Sequence, residues 1–272
     1  MEKRGVLPGV GIYAYALGAI ALGISGLVWG DFATNWQRVE QGVPYREALA
    51  YVTAVYELCA GLAILWPRTA RIGAAMLGVL YFIFALLWVP KIIGSPLVWD
   101  VWGNFFEESS ITIAAAVLWV WLAPEDSAWA GRAWQISRWY GICVISFALE
   151  HLFYLQGAAS FVPKWIPPGQ MFWAVTTAIC FLLAAGAILS GILADLASRL
   201  LAAMIVGFEL LVWAPRLAAS PHAHFEWAGN AVSLALAGGA WVVADAIHYS
   251  RKGRIGAEKS AAVAAKEAQL SR

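Results

Sequence analysis

No Asp, Glu, Lys or Arg occurs in residues 5–30, 72–90, 109–124, 165–194 or 227–244. Runs of this kind constrain the chain more than any motif in it. A helix needs about 20 apolar residues to cross the hydrocarbon of a bilayer, and a backbone in lipid must satisfy its own hydrogen bonds. Three further segments, 48–66, 139–156 and 200–215, carry one or two ionisable groups each and bring the expected spans to eight. Hydrophobic residues make up 61% of the chain and charged ones 13%, against roughly half and a quarter in soluble domains, so the solvent implied is lipid.

The tryptophans agree with these boundaries. Trp29, Trp66, Trp88, Trp102, Trp121, Trp139, Trp173, Trp213, Trp227 and Trp241 all fall near span ends, where an amphipathic indole sits at headgroup level. With the N-terminus inside, 13 of the 18 Lys and Arg residues fall on the inner side, so both termini are expected in the cytoplasm. The apolar run after Met1-Glu2-Lys3-Arg4 lacks a convincing small-x-small cleavage site and reads as a retained anchor. Cys59, Cys143 and Cys180 lie within spans without a C-x-x-C pair and read as small buried apolar residues.

Self-comparison gives the organisation. At a shift of 125 residues, LWVPKIIGSPLVWDVWGN aligns with VWAPRLAASPHAHFEWAGN. Trp88 meets Trp213, Pro90 meets Pro215, Lys91 meets Arg216, Ser95 meets Ser220, Pro96 meets Pro221 and Trp102 meets Trp227; after one inserted residue, Asn104 meets Asn230. Arg71 and Arg199 open the third helix of each half, Pro44 and Pro168 precede the second, and Pro90 and Pro215 are expected to end the third. Four spans return the chain to its starting side, so the expected fold is all-α and polytopic, with eight helices as two four-helix bundles in parallel repeat. The divisions are a first repeat over 1–124, a polar cytoplasmic linker over 125–138, a second repeat over 139–248, and a charged, alanine-rich tail over 249–272 that reads as a weak helix or a disordered segment.

A first helix ending in glycine, then YELCAGLAILWPRTARIGAAMLGVLYFIFALL, a Pro-containing outer turn and an Asn opening the fourth helix resemble the DoxX-like family of four-helix membrane proteins. The resemblance covers about Gly11 to Trp121 well and the second half more faintly. It implies a bacterial or archaeal plasma membrane and work either in quinone-linked redox complexes, as in a membrane subunit of thiosulfate:quinone oxidoreductase, or in assembly of such complexes. Function does not travel automatically with a fold.

Ionisable groups inside apolar spans are the first functional candidates, since a central charge costs roughly 2.5–3.5 kcal/mol on insertion scales unless paired or wetted. They are Glu57, Glu107, Glu108, Glu150, His151 and Glu209. Phe147, Glu150, His151 and Tyr154 share one helical face, and Glu150 beside His151 could relay protons as a catalytic pair or simply bond neighbouring helices. His222, His224 and Glu226 alternate in what reads as an extended turn, where both imidazoles and the carboxylate could face one metal ion with His151 completing the set; solvated loop histidines are the plainer alternative. Lys91 and Arg216 could be brought together to face an oxyanion or a quinone carbonyl, or could serve only the helix C-termini.

Three functions follow as expectations. The first is a DoxX-like subunit in quinone-linked redox chemistry, an oxidoreductase if it is an enzyme, with an outward polar pocket among the first, fourth, fifth and eighth helices. The second is a noncatalytic scaffold or assembly subunit binding other membrane proteins. The third is a small-solute or metal transporter using Glu57 and Glu209. No haem pair, iron–sulfur cysteine set or nucleotide-binding glycine motif is visible, and no basic stacking surface suggests nucleic acid.

Overall fold

A computed structural model describes the backbone of residues 9–124, 126–129 and 131–270, with side chains up to Ser250. The charged start at Lys3 and Arg4, Glu125 of the linker, the side chains of the basic tail and Arg272 lie outside the described residues. Among the described residues there is no strand. The elements are α1 (Gly9–Trp29), α2 (Arg46–Ile64), α3 (Ala70–Gly94), α4 (Trp99–Trp121), α5 (Ala133–Phe153), α6 (Leu155–Phe161), α7 (Gln170–Ser190), α8 (Ala194–Phe208), a π-helical segment (Glu209–Trp213), α9 (Ala214–Ala219) and α10 (His224–Leu270).

Among the described residues six stretches are long and apolar enough to cross a membrane: α1, α2, α3, α7, the continuous run Ala194–Ala219, and His224–Ser250 of α10. α5 and α6, bent by 95° at Tyr154, form a seventh if taken as one broken span. These helices mark a membrane-embedded protein with lipid-facing sides. Two of the eight expected spans differ. α4 begins ten residues before the uncharged run and so includes Asp100, Glu107 and Glu108, and the fifth helix stops at Phe153 instead of continuing straight to Gln156.

Successive helices run antiparallel. Gly23 of α1 faces Ala54 and Leu58, Gly73 of α3 faces Ala60 and Ile64, Gly103 of α4 faces Glu150, and Gly141 of α5 faces Ile188 and Leu189. The crossover of residues 30–45 and the turns 95–98, 154–169 and 220–223 therefore share one end of the molecule, called here the crossover end. α1–α4 are referred to as the first unit and α5–α10 as the second. α10 is the central column, with 78% of its apolar window buried against 22% for Ala194–Ala219. It meets α1 along small residues: a Cβ on Gly238 would fall 2.1 Å from the Tyr15 backbone nitrogen, and one on Gly18 2.5 Å from that of Ala235. Only glycine permits backbones this close, and in lipid such packing is what holds helices together.

The two aligned turns have the same local structure. Ser95 and Ser220 cap their helices at φ/ψ of −144/58° and −136/63°. Their backbone N–H groups each donate over 2.9 Å to the carbonyl four residues back, Lys91 and Arg216 respectively. The Trp102 indole donates to the Pro96 carbonyl over 3.1 Å and the Trp227 indole to the Pro221 carbonyl over 2.8 Å. Asn104 and Asn230 each donate to the carbonyl four residues earlier.

Neither proline ends its helix. Pro90 lies inside α3, which continues to Gly94, and Pro215 is the second residue of α9, which follows the π-helical segment without a break. A proline removes one i→i−4 bond, which a membrane helix tolerates where neighbours re-satisfy the freed groups. In the second unit the Asn230 amide of α10 donates to the Trp213 carbonyl over 2.9 Å, tying α10 to the chain two residues before Pro215.

Candidate functional site

The bend between α5 and α6 and the helix-free segment 162–169 hold the second unit open at the crossover end. Between α4, α5, α6, α7, the α8–π run and α10 lies a cavity of about 590 Å³. Its walls are apolar and aromatic, with Phe181, Phe208, Trp213, Phe225, Leu236 and Ala174 among them. Its polar lining comprises Asn35, Asp100, Asn104, Glu107, Glu150, His151, Tyr154, Thr177 and Ser233, with no Lys or Arg among the described residues. α1 does not line it, contrary to the sequence expectation; α7 and α8 do, because α5 turns away from the bundle axis and leaves the space to them.

The residues of the α5 face, Phe147, Glu150, His151 and Tyr154, all line this cavity. His151 is oriented by its own helix: Nδ1 lies 2.9 Å from the Phe147 carbonyl. A carbonyl can only accept, so Nδ1 carries the proton and Nε2 is the free ring nitrogen. The imidazole packs edge-on against Phe181 and stacks on Phe208. Glu150 has one oxygen without a hydrogen-bond partner. It presses against Gly103, where a Cβ would fall 2.5 Å from Oε2, so glycine at 103 is what lets the carboxyl reach α4. Asp100 and Glu107 lie within electrostatic reach of Glu150, and the Asp100 backbone N–H donates to the Tyr154 hydroxyl over 3.2 Å. Three carboxyls and an imidazole thus gather at one end of an apolar chamber. Trp36, from the crossover, lies beside Glu107 and stacks on Phe225 at a centroid distance of 5.5 Å.

The other candidate residues are distributed differently. Glu209 opens the π-helical segment beside Ser233, at the cavity's edge, with Oε2 unpartnered. Glu57 is buried in the first unit, where the Gln37 amide donates to it over 2.7 Å, and Glu108 is buried next to it in the same interior. Lys91 and Arg216 do not meet and neither lines the cavity: Lys91 is exposed, while Arg216 makes a two-pronged ion pair with Glu226 over 2.8 and 2.9 Å and lies over the Phe161 ring.

His222, His224 and Glu226 do not converge. Helix α10 starts at His224, so alternate residues point 200° apart instead of sharing a face. His222 is exposed, His224 stacks flat on Trp29 at 4.9 Å, and Glu226 is committed to Arg216. Among the described residues no group of three or more His, Cys, Asp or Glu side chains is arranged around a common point. Of the cysteines, Cys143 is buried, whereas Cys59 and Cys180 are on the surface.

An ionic cluster at the opposite end escaped the sequence reading. Asp195 accepts from Arg199 over 3.0 Å and pairs with His248 Nδ1 at 2.7 Å, and Arg199 reaches on to Asp245 at 3.3 Å. It ties the start of α8 to α10. The signal was present as an Asp and Arg four apart opening a helix and an Asp and His three apart closing the apolar part of another.

Comparison with known proteins finds no matching family model, no matching curated protein and no matching solved structure.

Proposed function

We propose that this membrane protein binds a neutral, lipid-soluble quinol in the cavity of the second unit and accepts its hydroxyl protons on Glu150 and His151, as a DoxX-like subunit of a quinone-linked redox system. The observation that carries this reading is the composition of the lining: an apolar, aromatic chamber of about 590 Å³ with carboxyls and one imidazole at a single end and, among the described residues, no cationic side chain. Such a chamber suits a ring ligand whose polar groups are hydrogen-bond donors. Oxidation of the bound quinol by a haem, flavin or iron–sulfur centre of a partner subunit would take the two electrons and break two O–H bonds, one proton passing to the Glu150 carboxylate and one to His151 Nε2. The lining is unsuited to a sulfur oxyanion, which would face carboxylates, so in this reading the quinol alone enters. The matching turns further support reading the two units as a duplicated four-helix element in parallel repeat, giving eight columns in all.

The test is extraction of detergent-purified protein for bound quinol or quinone, together with quenching of tryptophan fluorescence by quinol added under reducing conditions. Ala174→Phe, which fills the chamber, should abolish quenching. Glu150→Gln and His151→Phe should keep quenching but slow quinol oxidation by roughly 10²-fold or more, the usual worth of a positioned acid or base. Protein that carries no quinone and shows no quenching would overturn the reading.

The three carboxyls without a cation also fit a second function, transport of an amphipathic amine. Vesicle flux of a lipophilic amine that fails in Glu150→Gln while quinone has no effect would select it.

A further inference from the structure

Each helix of the first unit places one polar side chain in the same interior. These are Tyr15 from α1, Glu57 from α2, Tyr81 from α3 and Glu108 from α4, all 2% exposed or less. Tyr15 and Tyr81 are within electrostatic reach of both carboxyls. Tyr15 donates its hydroxyl to the Ile111 carbonyl over 2.8 Å, and Gln37 from the crossover holds one oxygen of Glu57. The remaining groups are under-satisfied: Glu108 Oε2 and the Tyr81 hydroxyl, which lies by Glu57 without reaching hydrogen-bond geometry, have no partner. From α5, Tyr140 approaches Tyr15, its own hydroxyl likewise unpartnered. Among the described residues no Lys, Arg or His acts on either carboxyl. Two buried carboxylates without a counter-cation are prohibitively costly in such a medium, so the cluster must hold a proton.

The route for that proton is α4. Adjacent residues on a helix point about 100° apart, and Glu107 and Glu108 use this to face different compartments: Glu107 lines the cavity, Glu108 the first-unit interior. We propose that Glu57, Glu108, Tyr15 and Tyr81 form a proton-binding site in the core of the first unit, loaded from the cavity across α4 through Glu107. In the transfer the O–H bond of a protonated Glu107 breaks and one forms on Glu108, leaving total charge unchanged. The site needs no ligand in the cavity, so it stands or falls apart from the quinol reading.

The experiment is infrared difference spectroscopy of the wild-type protein in lipid vesicles, with carbon-13-labelled glutamate identifying protonated Glu carboxyl bands. At neutral pH such bands should be present and should shift on exchange into D₂O. Glu57→Gln and Glu108→Gln should each remove part of their intensity. Glu107→Gln should leave them in place but slow the exchange roughly tenfold or more. Absence of a protonated glutamate band in the wild type, which needs no variant to fold, would overturn the site. So would bands unchanged in both core variants, or bands erased by sodium, which would make it a metal-cation site. Exchange at the wild-type rate in Glu107→Gln would overturn the loading route.

Discussion

The first and second units share a proline turn at the crossover end down to individual hydrogen bonds, yet one is closed around a buried polar cluster and the other is open around a cavity. In the first, α1 to α4 are unbroken and the crossover folds over their ends, with Trp36 and Gln37 buried. In the second, the helix in the place of an unbroken column bends by 95° at Tyr154, and the chain crosses back through Pro163, Pro167 and Pro168 before α7 begins. The turn is fixed by contacts within some fifteen residues. Interior space is fixed by where helices stop, and that can change without disturbing the turn.

The largest expected effect tests whether the units depend on each other. Gly238→Val should prevent the α1–α10 approach, since even a Cβ would collide with the Tyr15 backbone; a destabilisation at or beyond the upper end of the roughly 1–3 kcal/mol of overpacking should appear as a lowered thermal midpoint or loss of folded protein. Next, Gln37→Leu leaves Glu57 without its donor and should cost about 1–3 kcal/mol, whereas Asn35→Leu on the cavity side should cost far less.

A third comparison sets Arg216 against its twin. Arg216→Met strands Glu226, whose side chain is only 12% exposed, but the 39% exposure of Arg216 allows water to screen the pair, so a loss of about 1–2 kcal/mol is expected. Lys91→Met should stay within about 0.5 kcal/mol, as for an exposed surface group. Smallest and most symmetrical, Trp102→Phe and Trp227→Phe each lose one indole bond to a proline carbonyl and should cost about 0.5–1.5 kcal/mol, equally in both units. Unequal values would show that the two turns are alike in geometry only.

What the sequence disclosed follows the same division. The membrane character and the paired turns were legible because composition and local side-chain bonding determine them. So was the face of Phe147, Glu150 and His151 within α5, which depends only on helical spacing, whereas Tyr154 reaches the same cavity from the bend. The cavity was not, because it depends on the break at Tyr154, and a short run such as LQGAASF does not announce a change of direction. The histidine turn differs for a related reason: an extended segment is expected where α10 begins at His224, so His222 is left exposed ahead of the helix while His224 meets Trp29 and Glu226 meets Arg216. The role of Glu108 could not be separated from that of Glu107 without knowing that α4 is a wall between two compartments.

Trp36 and Gln37 repeat that wall in a single peptide step. Trp36 borders the cavity and Gln37 holds Glu57, one peptide apart. Rotations about the bonds flanking that peptide stay soft, so consecutive side chains serve separate interiors and displacing the indole leaves the amide free to stay on Glu57.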